Sequence, residues 1–271
     1  MKKSICKLLG LALLFSSISI SAYAFPNSKN NVNENIEVCQ SNKQEYCQNQ
    51  MKKEIIKNMD KYYKKYKNDL IDLNNLHKLD KSKQEDIENI LGGKDKKNLD
   101  RSSSSSSSDA KGFNLNFKKF HNGSIILVHR GKCPYGYWRH VGTYSEAKQK
   151  FLTAQISDCG YGSGVIYEPK EWYTRSYDEA VGININSCSS NSDKLNSMMN
   201  WLSKFIGKDY SIIKASKSLN ENDLWYCSLI PWKGYKNYFN VDIDSNQGRF
   251  VAPDDIIKFK SSTVIARSQT K

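Results

Sequence analysis

Cys227 and His140 are the residues of this 271-residue chain whose types and surroundings suit covalent chemistry. His140 stands in the strand-like run Tyr137-Trp138-Arg139-His140-Val141-Gly142-Thr143-Tyr144. Cys227 stands in Leu224-Trp225-Tyr226-Cys227-Ser228-Leu229-Ile230-Pro231-Trp232, which reads as the opening turn of a helix with Asn222 or Asp223 as its N-cap. The macrodipole and unpaired N–H groups of a helix N-terminus favour a thiolate over a thiol, and a neighbouring imidazolium favours it further. The same N–H groups could hold an oxyanion. Each half alone is an ordinary feature: a lone strand histidine is more often hydrogen-bonded structure, and a lone helical cysteine a small buried hydrophobe.

The elements that must position this pair follow from the apolar spacing. Short β-like runs are expected at Ser124–His129, Trp138–Tyr144, Phe151–Ile156, Gly164–Tyr167 and Val181–Ile185. Two helices follow, Ser192–Ile206 with an apolar stripe of Leu195, Met198, Met199, Leu202, Phe205 and Ile206, and a second from about Asp223 to Tyr238. Strands first and helices afterwards predict an α+β domain with an antiparallel sheet. Pro231, four residues after Cys227, should bend the second helix just past the nucleophile. Upstream, Ile55, Ile56, Met59, Tyr62, Tyr63, Tyr66, Leu70 and Leu73 recur at helical spacing within 25–100, and Gly92-Gly93 reads as a helix stop. Seven serines, Ser102 to Ser108, lie in a 101–110 segment that reads as a flexible linker, which leaves 111–271 as the catalytic-domain candidate.

Residues 1–24 pair Lys2 and Lys3 with an apolar run from Leu8 to about Ile20 and a small-x-small Ala22-Tyr23-Ala24, the pattern of a cleaved secretory signal. The apolar run is shorter than the roughly 20 residues a spanning helix needs. The net charge of +13 leans to the C-terminal part, since 110–271 holds 22 basic and 14 acidic residues and 25–109 holds 16 and 14. For an exported chain that surface suits an anionic envelope rather than nucleic acid. Six cysteines follow residue 24: Cys39, Cys47, Cys133, Cys159, Cys188 and Cys227. An even count in an exported protein invites disulfides, with Cys133 expected to pair with Cys159 or Cys188. A Cys39–Cys47 bridge would need a turn near 42–44, because eight residues of straight helix span about 12 Å. Neither C-x-x-C spacing nor a matching histidine pattern appears, so no metal and no cofactor is expected. The acidic residues Asp242, Asp244, Asp254 and Asp255 lack calcium-loop spacing and read as solvated. The aromatics around both candidates, Tyr135 to Trp138 and Trp225 to Tyr238, are expected to be mostly core, the rest forming a cleft wall suited to a peptide or acyl chain.

The wording around the pair resembles the permuted branch of the NlpC-type cell-wall cysteine peptidases, the YiiX/YebB-like group of the papain-like superfamily. Gly123-Ser124-Ile125-Ile126-Leu127 looks like the opening strand, Trp138–Tyr144 like the histidine strand, and Ile206-Gly207-Lys208-Asp209-Tyr210-Ser211 like the step after a helix. Trp225-Tyr226-Cys227-Ser228 looks like the nucleophile turn, and Val251-Ala252-Pro253-Asp254-Asp255-Ile256 like the closing segment. The resemblance implies a permuted papain-like fold, Cys227 as nucleophile and His140 as base and then acid. It also implies a polar residue on the next strand holding the imidazole through Nδ1–H. Relatives commonly place a carboxylate or histidine there; this chain offers Thr153 or Gln155, neither of which brings charge. The expected activity is hydrolysis of an amide in peptidoglycan stem peptides. A lipid or thioester acyl hydrolase or acyltransferase, as in lecithin:retinol-type relatives, and a non-catalytic envelope-binding module are the alternatives.

Overall fold

The run Ile125-Ile126-Leu127-Val128 shows no polar alternation because the sheet it enters is covered on both faces, so all four residues are buried. The structure is a computed structural model and describes residues 29–82, 84, 112–156 and 162–270, with side chains from residue 42 onward except at 77 and 270. The expected signal segment, Gly92-Gly93, the serine run and Cys159 lie outside the described residues, as does the side chain of Cys39. Two units are distinguished, Met1–Lys43 and Gln44–Lys271. In the first, the described backbone is the beginning of a helix, Lys29–Tyr66, that continues into the second.

Among the described residues there are ten strands: β1 Phe113–Asn114, β2 Ile125–His129, β3 His140–Ser145, β4 Lys150–Gln155, β5 Gly164–Pro169, β6 Glu179–Ile185, β7 Asp209–Tyr210, β8 Leu224–Trp225, β9 Ser262–Arg267 and β10 Gln269–Thr270. Six of them form an antiparallel sheet in the order β5-β4-β3-β2-β6-β9, which makes the fold α+β. One face, through Leu127, Val141, Leu152 and Val181, packs on helices Ser192–Leu202, Leu229–Phe239 and Pro253–Lys258. Ile126, Val128, Tyr144 and Phe151 on the other face pack on Phe113, Phe120 and Tyr173 of the short helix Lys170–Ser176.

Ile55 and Met59 of the first helix, and Leu73 and Leu76 after it, belong to the same core as the sheet. Residues 44–82 are therefore an integral part of the second unit. Tyr62 reinforces this, its hydroxyl donating to Cys133 O at 2.9 Å and accepting from Cys133 N at 2.6 Å.

Several expectations are corrected. The helix after β6 ends at Leu202, continues as one 3-10 turn over Ser203–Phe205, and leaves Ile206 exposed where the chain turns at Gly207. Cys133 and Cys188 are free buried thiols and bridge to nothing, and Cys47 is a free exposed one. Lys29–Tyr66 runs as helix through 42–44, so the turn a Cys39–Cys47 bridge would need is absent. Burial pushes the Cys133 thiol up to about 12. The acidic residues are not solvated either: Asp244, Asp254 and Asp255 are buried, because each supplies acceptors that backbone N–H groups need.

Asp254, 1% exposed, shows what such a carboxylate does. It accepts from Tyr137 N at 2.9 Å, Trp138 N at 2.7 Å and Tyr63 Oη at 2.8 Å, holding the loop that leads into β3. Asp254→Ala strands two buried N–H donors and a phenol at once. It is expected to cost about 3 kcal/mol in denaturant unfolding, several times the effect of changing the exposed Asp60.

Candidate active site

β3 begins at His140, and the sheet register carries its partners to it. Thr143 pairs with Leu152 and Thr153 with Ile166, so His140, Thr153, Gln155 and Glu168 fall on one face of β3, β4 and β5. His140 Nε2 lies 3.1 Å from Glu168 Oε2 and 3.3 Å from Thr153 Oγ1. The Thr153 hydroxyl spends its proton on Val141 O at 2.6 Å, so toward the imidazole it is an acceptor. Gln155 Nε2 donates to Glu168 Oε1 at 2.6 Å and acts through that carboxylate. The expected contact through Nδ1–H is therefore made at Nε2, and Cys227 lies close enough to the ring to favour its charged form.

Glu168 is the residue sequence reasoning missed. The carboxylate was sought on the strand after the histidine strand, but it sits one strand further, on β5, past the expected strand end at Tyr167. A glutamate inside Gly-Val-Ile-Tyr-Glu-Pro was the available signal, since a charge in a buried apolar run needs a partner. Glu168 is 0% exposed, and His140 is 5% exposed. Burial opposes charge on the imidazole, but the Glu168 carboxylate and the ring's hydrogen bonding with Cys227 and to Glu168 outweigh it and push His140 up to about 10. The ring is thus an imidazolium at neutral pH, with its counter-charge built in.

Aromatic rings complete the pocket around the histidine. Tyr173 and Tyr177 stack on His140 at centroid distances of 5.9 and 6.2 Å, with interplanar angles of 19° and 11°. A Cβ on Gly142 would lie 2.3 Å from the Tyr173 hydroxyl, so only glycine at this position of β3 lets that ring lie against the sheet. Burial, and next the Glu168 charge, raise the Tyr173 phenol well above its ordinary range.

Cys227 is 7% exposed and sits two residues ahead of the helix Leu229–Phe239, in the turn that enters it. The N-cap is Ser228, not Asn222 or Asp223, and its hydroxyl donates to Val251 O at 2.6 Å instead of capping the helix. Leu224-Trp225 instead forms β8, paired in parallel with β7, and Trp225 Nε1 donates to Asn222 O at 2.9 Å. Burial of Trp225 and Tyr226 outweighs the capping preference of Asn222 and Asp223. Because the helix starts later than expected, Pro231 falls in its first turn, where no intrahelical N–H is required, and the expected bend does not arise. Trp138, Trp225, Tyr226, Trp232 and Tyr235 are core residues, while Tyr135, Tyr137 and Tyr238 are half-buried.

No family model matches the chain, and no curated protein matches it. Among solved structures, the crystal structure of the metalloprotein yiiX from Escherichia coli O157:H7 is similar at a TM-score of 0.41 and 16% identity, over 54% of this chain and 96% of that one. Among the described residues, no group of three or more His, Cys, Asp or Glu is placed to hold a metal ion.

Proposed function

We propose that the chain is an exported cysteine hydrolase of permuted papain-like fold that cleaves an amide bond in peptidoglycan stem peptides. The observation that supports this reading is the run Gln155–Glu168–His140–Cys227, in which a buried carboxylate holds an imidazolium beside a thiol. The Cys227 thiolate attacks the carbonyl carbon and forms a C–S bond, while the oxyanion is met by backbone N–H groups of the turn into the helix. As the C–N bond breaks, the imidazolium gives its proton to the leaving amine. A water then attacks the thioester, passing its proton back to His140 and releasing the carboxylate and the thiolate. The histidine strand precedes the nucleophile helix in the chain, which is the order of the permuted branch the sequence resembles. Export is inferred from residues 1–24, and buried thiols such as Cys133 would stay inert in an oxidising compartment.

Incubation with purified muropeptides and, separately, with phospholipid vesicles tests the reading by mass spectrometry. The expected result is a muropeptide split at one amide with gain of one water, and intact lipid. Released fatty acid with untouched muropeptide would overturn it in favour of the acyl-hydrolase alternative.

A further inference from the structure

The first helix shows a second feature, unrelated to the candidate active site. Its inner face is in the core through Ile55, Met59 and Tyr62. Its outer face follows the spacing Tyr46, Gln50, Lys53, Lys57, Lys61, Lys64, each step three or four residues, so these side chains form one stripe. All six are exposed, Tyr46 at 66%. The four lysines span 12 residues, about 16 Å of helix axis, with Glu54 and Asp60 the acids between them in sequence. Among the described residues none of the four is in an ion pair. Of the nearby acids, Glu54 is taken by Arg267 at 3.0 Å and Asp60 lies at the flank.

We propose that this stripe docks the protein on the surface of an anionic phospholipid bilayer. This part of the helix is anchored to the core through Ile55, Met59 and Tyr62, so its lysines are held on one outward face that a charged plane can meet together. Each adds attraction to a negatively charged surface. Tyr46 at the end of the line has the ring-plus-hydroxyl character that favours the headgroup region. Nucleic acid is the weaker partner, because the outward stripe itself carries no aromatic side chain between its lysines to stack on bases. No helix among the described residues is long and apolar enough to cross a membrane, so the contact is with the surface.

The test is co-sedimentation of the full chain with vesicles of phosphatidylcholine alone and of phosphatidylcholine with phosphatidylglycerol, at low and high salt. The comparison removes any contribution of the apolar run Leu8–Ile20, which would bind both compositions alike. Salt-sensitive preference for the anionic vesicles is expected, and the variant K53Q/K57Q/K61Q/K64Q should lose it by about a hundredfold or more, at roughly fivefold per lysine. The matched variant K118Q/K119Q/K148Q/K150Q removes the same charge from exposed positions elsewhere and should retain most of the preference. Equal loss in both variants would show general charge attraction and overturn the proposal. So would indifference to lipid composition, or stripe-dependent binding of a DNA duplex without binding of anionic vesicles.

Discussion

Changing Cys227 to alanine is expected to lower muropeptide hydrolysis by on the order of 10⁴-fold or more, because no other group can form the thioester. The fold should tolerate the change: one sulfur is lost from a small side chain in the turn before the helix, and the denaturation midpoint should move little. Labelling provides an independent reading on the wild-type chain. Cys133 and Cys188 are buried and Cys47 is exposed, so a thiol reagent mapped by mass spectrometry compares three reference thiols with Cys227. Cys227 should react faster than Cys47 despite being far less exposed, because only Cys227 has an imidazolium beside it. Retention of more than a tenth of the activity in the alanine variant would end the assignment of Cys227 as nucleophile.

Glu168→Gln is the second change with a large expected effect, and its signature is a shift along the pH axis. Glutamine keeps the shape and can still hydrogen-bond, but it removes the charge that outweighs burial at His140. The ring should fall from about 10 toward or below the ordinary imidazole value of about 6.5, followed by NMR of the ring protons. The alkaline limb of the rate profile should move down with it, and activity near neutrality should drop by about 10²-fold or more. Stability changes with a defined sign. A histidine whose native value is raised contributes stability that is fully present below about 6.5 and is lost as pH rises through about 10. The variant should therefore be less stable than the parent at pH 6, with the gap closing toward pH 10.5. A rate profile and ring titration unchanged by the substitution would remove Glu168 from the site.

The sheet was legible because its strands carry apolar runs bounded by glycine and charged turns; β2 and β6 begin within two residues of the expected positions. His140 and Cys227 were singled out from the short runs around them, Tyr137–Tyr144 and Leu224–Trp232. Glu168 was not, because its role depends on strand register: β5 must pair with β4 for the carboxylate to reach across Thr153 to the ring. The start of the helix after Cys227 was misplaced because Asn222 and Asp223 are good caps in isolation. What decides the matter is the pairing of β8 with β7, a contact across 15 residues. Asp254 was misread as solvated for a similar reason, since its donors at Tyr63, Tyr137 and Trp138 are more than a hundred residues away in sequence.

That remoteness has a kinetic side. Lys52 Nζ donates to Phe259 O across 207 residues, and Tyr63 reaches Asp254 across 191. During synthesis the helix Lys29–Tyr66 leaves the ribosome well before Asp254 and Phe259, the residues that hold it in place. Closing a loop of that length carries its entropic cost before any contact repays it. The loop that delivers His140 thus gains its outer support only after Asp254 has been made, more than a hundred residues later.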